Sequence, residues 1–179
     1  MGTESTPERG NHRPAEREGA PGTGLLAVER IAHHDIPSVC ALYKRVWDPH
    51  RSELPPELLK TLEPTPLEFT SEMEGVTYFA ARRDGRTVGV VGLEMAHGSC
   101  HIVSLAVDPE ARRQGIGRAL VTTGIEWAKH NGASSIWVDP LAKFEAAAKL
   151  LTGLGFQPAG LLHRRLYRED VRYFELLLP

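Results

Sequence analysis

Arg112-Arg113-Gln114-Gly115-Ile116-Gly117 is the stretch whose reading decides the fold. It follows the strand-like run Ile102-Val103-Ser104-Leu105-Ala106-Val107 and the break Asp108-Pro109, and it leads into a helix-like run over 117–129. A strand ending in a glycine-containing loop that opens a helix is a device for holding phosphate. The first turn of the helix has N–H groups without intrahelical partners, and the helix dipole favours negative charge there. Gly115 and Gly117 let the backbone approach a ligand closely. Arg112, Arg113 and Arg118 add positive charge around the same turn. No Gly-Lys-Ser/Thr follows the glycines, so this is not a Walker loop. Leu120 stands where the dinucleotide fingerprint needs a third glycine. Taken alone, the loop also fits an ordinary tight turn before an amphipathic helix.

Working outward, the chain alternates between the two hydrophobic periods. Residues 26–32 read as a strand. Asp35 is placed to cap a helix with Pro37 in its first turn, and Val39, Leu42, Tyr43, Val46 and Trp47 follow at helical spacing. Five prolines break 49–66, leaving short helices over 56–62 and 66–73. Residues 76–82 and 87–95 form a hairpin around Asp84-Gly85. A strand over 101–107 precedes the loop, and Ile136-Trp137-Val138 is a short buried strand after the helix. A helix is expected over 141–154, ended by Gly153 and Gly155. Two final strands, 156–162 and 171–178, join around Arg168-Glu169-Asp170. The sum is a mixed α/β domain with a hairpin-rich sheet and helices on its faces. Residues 1–24 carry almost no large apolar side chains and read as a disordered tail before a domain over 25–179.

Composition bounds the function. The 179 residues are 41% apolar and 25% charged, with a formal charge of −2. Neither nucleic acid nor an anionic membrane is favoured as partner, and no apolar run approaches the roughly 20 residues that span a bilayer. Two cysteines and no secretory signal point to a reducing, cytoplasmic setting.

The order of elements, together with the loop and the closing Leu154-Gly155-Phe156, resembles the GNAT superfamily of N-acetyltransferases over residues 26–178. Arg112 through Gly117 fits that family's Gln/Arg-x-x-Gly-x-Gly/Ala loop, and Leu105-Ala106-Val107-Asp108-Pro109 fits its strand end. The resemblance implies a central, mostly antiparallel twisted sheet of six to seven strands flanked by about four helices, splayed between 101–107 and 135–139. It implies acetyl-CoA as co-substrate. Backbone amides of Arg113, Gln114, Gly115, Ile116, Gly117 and Arg118 would hold the pyrophosphate, with Arg112 counted among the cofactor-binding residues. Leu105, Ala106 and Val107 would pair with the pantetheine arm as an added strand does. The reaction implied is direct attack of a primary amine on the thioester, and the acceptor is a small molecule, a peptide amine or a protein lysine. Residues 46–75 and the last strands would build the acceptor region.

Such a reaction needs a proton removed from the amine. His101 lies where well-studied family members carry a catalytic glutamate, and histidine titrates near neutral pH. Its bland alternative is a structurally neutral strand residue. Glu94 on the neighbouring strand is the second candidate, against a plain solvated carboxylate. The family's helix pattern places a tyrosine, the customary acid for the leaving thiolate, where this chain has Leu151, and an asparagine where it has Phe144. Leucine donates no proton. Tyr43, Tyr167 or Tyr173 could substitute through folding, or the thiolate leaves unaided. The departure keeps a second reading open: a weak or inactive acyl-CoA-binding sensor. Cys100 and His101 alternate across a strand, which argues against a catalytic pair, and His97-x-x-Cys100-His101 lacks the second pair of a zinc site; no metal is expected. His163, Arg164, Arg165 and Arg168 form a basic cluster that is either a solvated turn or a wall of the acceptor site. Edge strands near the C-terminus leave room for a homodimer.

Overall fold

The computed structural model describes residues 25–179. The tail expected over 1–24 lies outside the described residues. Seven strands form one sheet: β1 (Ala27–Arg30), β2 (Thr77–Arg83), β3 (Arg86–Ala96), β4 (Ser99–Val107), β5 (Ser135–Val138), β6 (Gln157–Leu166) and β7 (Glu169–Leu177). Their spatial order is β1-β2-β3-β4-β5-β7-β6. Among the described residues, only the β4–β5 pair is parallel. Among the described residues, five α-helices accompany them: α1 (Ile36–Trp47), α2 (Pro56–Leu62), α3 (Pro66–Glu72), α4 (Ile116–His130) and α5 (Glu145–Thr152).

The helices cover the sheet in two layers. On one face α4 buries Ile116, Leu120 and Val121 against Val91, Leu93, Ile102 and Ile136. Each such side chain, fully removed from water, contributes about 1.5–3 kcal/mol. On the other face α1 and α3 bury Leu42, Tyr43 and Phe69 against Tyr78, Val90 and Ala106. A third cluster joins Leu54 and, on α2, Leu58 and Leu59 to Leu141 and Val171. It brings the proline-broken segment onto the C-terminal hairpin.

Three local expectations are corrected. The helix expected over 141–154 forms only from Glu145 to Thr152. Leu141 instead makes an isolated bridge to Val171, and the Ala142 N–H donates to the Asp170 carbonyl at 2.8 Å. The apolar side chains there face the neighbouring β7 segment, so tertiary pairing overrides the helical period. The final hairpin turns at Tyr167 and Arg168, with φ of 49° and 70°, not around 168–170. Without a glycine, that left-handed pair leaves no compositional signal. Asp35 makes no side-chain cap. Its carboxylate accepts from the Ala32 N–H at 2.9 Å and pairs with Arg82.

Candidate active site

The sheet opens between β4 and β5. These strands pair only across Ser99–Ser135, Cys100–Ile136 and His101–Trp137. Beyond His101, β4 continues to Val107 alongside β3, while β5 turns to β7. β4 skips a residue against β3 between Ser104 and Ile102. This bulge at Val103 adds twist. The edge of β4 facing β5 is therefore open from Ile102 to Val107. The Asp108 N–H donates to Val88 on β3 at 2.9 Å. Backbone groups alternate along a strand, so the amides of Val107 and Leu105 point the other way, into the opening. Ala106 turns its backbone to β3 and its side chain into the α1 layer, where it is 3% exposed. Of the three residues expected to pair with a pantetheine arm, two thus present main-chain groups.

The loop sits at the far end of that edge. Asp108 is buried and anchors it: its carboxylate accepts from Arg45 Nε at 2.9 Å, from Arg86 Nη2 at 3.0 Å and from the Glu110 N–H at 3.2 Å. Arg113 and Gly115 adopt left-handed φ of 64° and 80°. Among the described residues, the backbone N–H groups of 113–118 donate to no protein acceptor. These free donors open α4, whose dipole adds to them. Three side chains in and beside the loop have partners of their own. Gln114 pairs with Arg83, Arg112 Nε reaches the Val107 carbonyl at 3.4 Å, and Arg118 Nη2 reaches the Gly153 carbonyl at 3.2 Å.

At the near end, His101 occupies the last paired position before the opening. Its Nε2 lies 2.8 Å from Asp139 Oδ1. Its ring stacks on Trp137 with centroids 3.5 Å apart and planes 4° apart. Trp137 in turn stacks on Tyr173 at 5.8 Å. A carboxylate accepts, so Nε2 is the donor, and in the neutral ring Nδ1 then carries the lone pair. Glu94 is the direct cross-strand partner of His101, and both lie on the α1 side of the sheet. The two base candidates are thus brought together. Asp139 was not singled out from the sequence. The signal available was a carboxylate at the end of a short buried strand, just before Pro140.

Other candidates are placed elsewhere. Cys100 is fully buried in the α4-side core, and burial pushes its thiol up to about 11; it is a packing residue, not a nucleophile. Leu151 is 1% exposed in the same core. Tyr167 pairs with Thr61 at 3.2 Å on the surface. Tyr43 lies closer to the opening: its hydroxyl is 2.6 Å from Ser104 Oγ on β4. Of the basic cluster, His163 Nδ1 and the Arg164 N–H both bond Asp170. No group of three or more His, Cys, Asp and Glu side chains suited to a metal occurs among the described residues. No described helix is long and apolar enough to cross a membrane.

A sequence profile described as the acetyltransferase (GNAT) family matches residues 38–156. The chain belongs to this family. It is similar to the [ribosomal protein bS18]-alanine N-acetyltransferase of Escherichia coli K12, with 30% identity over 89 residues, covering 50% of this chain and 59% of that protein. The chain thus spans less than two thirds of the length of that relative. The crystal structure of the ribosomal-protein-S18-alanine N-acetyltransferase from Escherichia coli superposes with a TM-score of 0.70 at 22% identity, over 86% of this chain and 94% of that one. The PaiA N-acetyltransferase of Thermoplasma acidophilum, crystallised in complex with coenzyme A, gives a TM-score of 0.71 at 11% identity, over 83% and 98%. At these identities the structural likenesses establish the fold. In this GNAT domain, the opening between β4 and β5 is the splay that the family resemblance implies.

Proposed function

We propose that this GNAT domain transfers an acetyl group from acetyl-CoA to a primary amine by direct attack. One observation carries the reading: an unpaired strand edge runs from free amides at the start of α4 to the His101–Asp139 pair. The residues fit the co-substrate. The amides of 113–118 suit a pyrophosphate, and the Leu105 and Val107 edge suits an amide-bearing arm that pairs like a strand.

The chemistry follows from the same residues. His101 Nδ1 takes a proton from the attacking nitrogen, which must be neutral to react. Asp139 is a positioning residue that fixes the ring through Nε2, and Trp137 fixes its plane. The nitrogen–carbon bond forms, the carbon–sulfur bond breaks, and the thiolate departs. An open-edge amide of β4 stabilises the oxyanion. Glu94 adds negative charge next to the imidazolium that forms. Residues 46–75 and the last strands build the acceptor region.

Acetylation of an amine panel by the wild type and His101→Ala tests this reading. A base of this kind contributes about 10²–10⁴-fold, so unchanged rates would remove His101 from the role. A thermal-shift titration with acetyl-CoA tests the first half separately. Saturation a hundredfold above the dissociation constant stabilises by about 2.7 kcal/mol. Leu151, buried where the family's tyrosine stands, favours the second reading of a coenzyme-binding sensor. Tight coenzyme binding with no turnover on any amine would select it.

A further inference from the structure

Asp35, Thr87 and Asp108 are the buried polar or charged side chains among the described residues. All three belong to one network, which runs from the start of α1 to the glycine loop. Asp35 pairs with Arg82, and Arg82 Nη1 donates to Thr87 Oγ1 at 3.3 Å. The Thr87 carbonyl accepts from Arg45 Nη2 at 3.2 Å. Arg45 Nε and Arg86 Nη2 then meet on one oxygen, Asp108 Oδ2, at 2.9 and 3.0 Å. The other oxygen, Oδ1, accepts from the Glu110 N–H at 3.2 Å and so caps the turn that follows. Desolvation offsets much of the attraction in a buried ion pair. The network therefore says more about position than about stability.

The loop has little else to hold its shape. The Ala111 N–H donates to the Asp108 carbonyl at 2.9 Å, and the Arg112 N–H to the Pro109 carbonyl at 3.4 Å. Among the described residues, the next backbone donor along the chain with a protein acceptor is Ala119, whose N–H reaches the Gly115 carbonyl at 3.0 Å where α4 begins. Between these points Arg113 and Gly115 are left-handed. Neighbouring N–H dipoles that share no protein acceptor repel one another, so this stretch relaxes unless its ends are fixed. Helix α4 fixes one end and Asp108 the other. The Gln114 side chain adds a tie: it accepts from Arg83 and donates to the Glu110 carbonyl at 3.4 Å. Glu110 is itself held by Asp108, so this tie leads back to the same carboxylate.

We propose that Arg45, Asp108 and Arg86 form a clamp that sets coenzyme affinity by holding the loop amides in place for the diphosphate, with both arginines acting through Asp108 and not as phosphate ligands. All three are positioning residues. The inference rests on the acetyl-CoA reading for the identity of the anion. Asp108 makes it testable, because its charge and its geometry act in opposite directions. As a charge, the carboxylate stands at the start of an anion-binding loop and opposes the diphosphate. As an anchor, it favours the diphosphate. Asp108→Asn removes the charge and keeps the shape. Asparagine retains an oxygen for the Glu110 N–H, but it offers the two guanidiniums no charge-assisted acceptor. Electrostatics alone would therefore tighten coenzyme binding, and loss of the clamp would weaken it. The β4 edge is untouched, because the Asp108 N–H still donates to the Val88 carbonyl. The effect should thus fall on the diphosphate and spare the pantetheine arm.

The test is an amide NMR titration of the full chain with coenzyme A and, separately, with pantetheine, with melting temperatures taken on the same preparations. Asp108→Asn should weaken coenzyme A binding about tenfold, the scale of one hydrogen bond to a charged group, and leave pantetheine binding unchanged. Arg45→Gln should do the same, and Arg45→Lys, which keeps a cation for Asp108, should fall between it and the wild type. Arg45→Gln combined with Asp108→Asn should bind no more weakly than the weaker single variant, because the arginine acts through the carboxylate. Asp35→Asn, at the far end of the network, should lower the melting temperature without changing the ratio of the two affinities. In the free protein, heteronuclear relaxation should show the amides of 113–118 more mobile in Asp108→Asn than in the wild type, with β4 unchanged. Coenzyme binding that is equal or tighter in Asp108→Asn, an equal loss for pantetheine, or additive losses in the double variant would overturn the clamp. A wild type that binds no coenzyme A would instead strike the acetyl-CoA reading, and this use of the clamp with it.

Discussion

Replacing Asp139 with asparagine tests the central pair most directly. In the wild type, Asp139 accepts from His101 Nε2 at 2.8 Å, which leaves Nδ1 for the base role proposed above. Asparagine is nearly isosteric, but its amide NH₂ can donate to Nε2. That favours the opposite tautomer, with the proton on Nδ1, where the base is needed. A hydrogen bond to a charged group is worth about 1.5–3 kcal/mol. The Asp139 side chain is 31% exposed, so the lower part of that range applies. At 1.36 kcal/mol per factor of ten, the expected loss in kcat is about 10–30-fold. Trp137 still holds the ring plane through the stack at 3.5 Å, so the loss should be smaller than for His101→Ala.

The assay is steady-state acetylation of the amine that the wild type uses fastest, with coenzyme affinity and melting temperature measured on the same preparations. The expected pattern is a lower kcat with KM for acetyl-CoA and coenzyme affinity unchanged. Asp139→Asn combined with His101→Ala should be no slower than His101→Ala alone, because the carboxylate acts only through the ring. A variant that keeps more than a third of wild-type kcat would refute the reasoning. So would a loss explained by a matching fall in coenzyme affinity.

Three further outcomes are expected. Gly115→Ala meets no atom within 4 Å, but it must hold φ at +80°; the strain should cost about 1–2 kcal/mol and weaken coenzyme A binding in calorimetry, whereas an unchanged melting temperature would show that the turn relaxes freely. Leu151→Tyr should not raise kcat, because position 151 is 1% exposed in the α4-side core; overpacking should instead cost about 1–3 kcal/mol in chemical denaturation, and a faster enzyme would contradict that placement. Asp35 gives a pH dependence: burial raises its carboxyl, but the Ala32 N–H bond and the Arg82 hydrogen bond and charge outweigh this and hold it below the ordinary range. A folded-state value below the unfolded one contributes stability that is present above about pH 4 and is lost as pH falls through the folded value. Asp35→Asn should therefore flatten the fall in melting temperature below pH 4, and a variant with the same acid limb would refute the assignment.

Much of the fold was legible because local signals agreed with one another. The prolines before α2 and α3 mark their starts, Asp84-Gly85 turns β2 into β3, and the glycine loop announces α4. These depend on backbone freedom within a few residues, which composition reports directly. The turn at Tyr167-Arg168 has no glycine, and 141–144 shows a helical period but pairs with β7. Both were set by neighbours distant in sequence. The site divides in the same way. The loop, the β4 edge, His101 and Glu94 stand within one stretch of chain, so spacing alone ranks them as candidates. That His101 meets Asp139, 38 positions away, depends on where β5 stops pairing with β4. That Arg86 reaches Asp108 depends on strand register. Sequence determines which groups are available and which backbone shapes they tolerate. Only the packed sheet decides which of them share a face, because a shift of one residue in register would turn every one of these side chains to the other side.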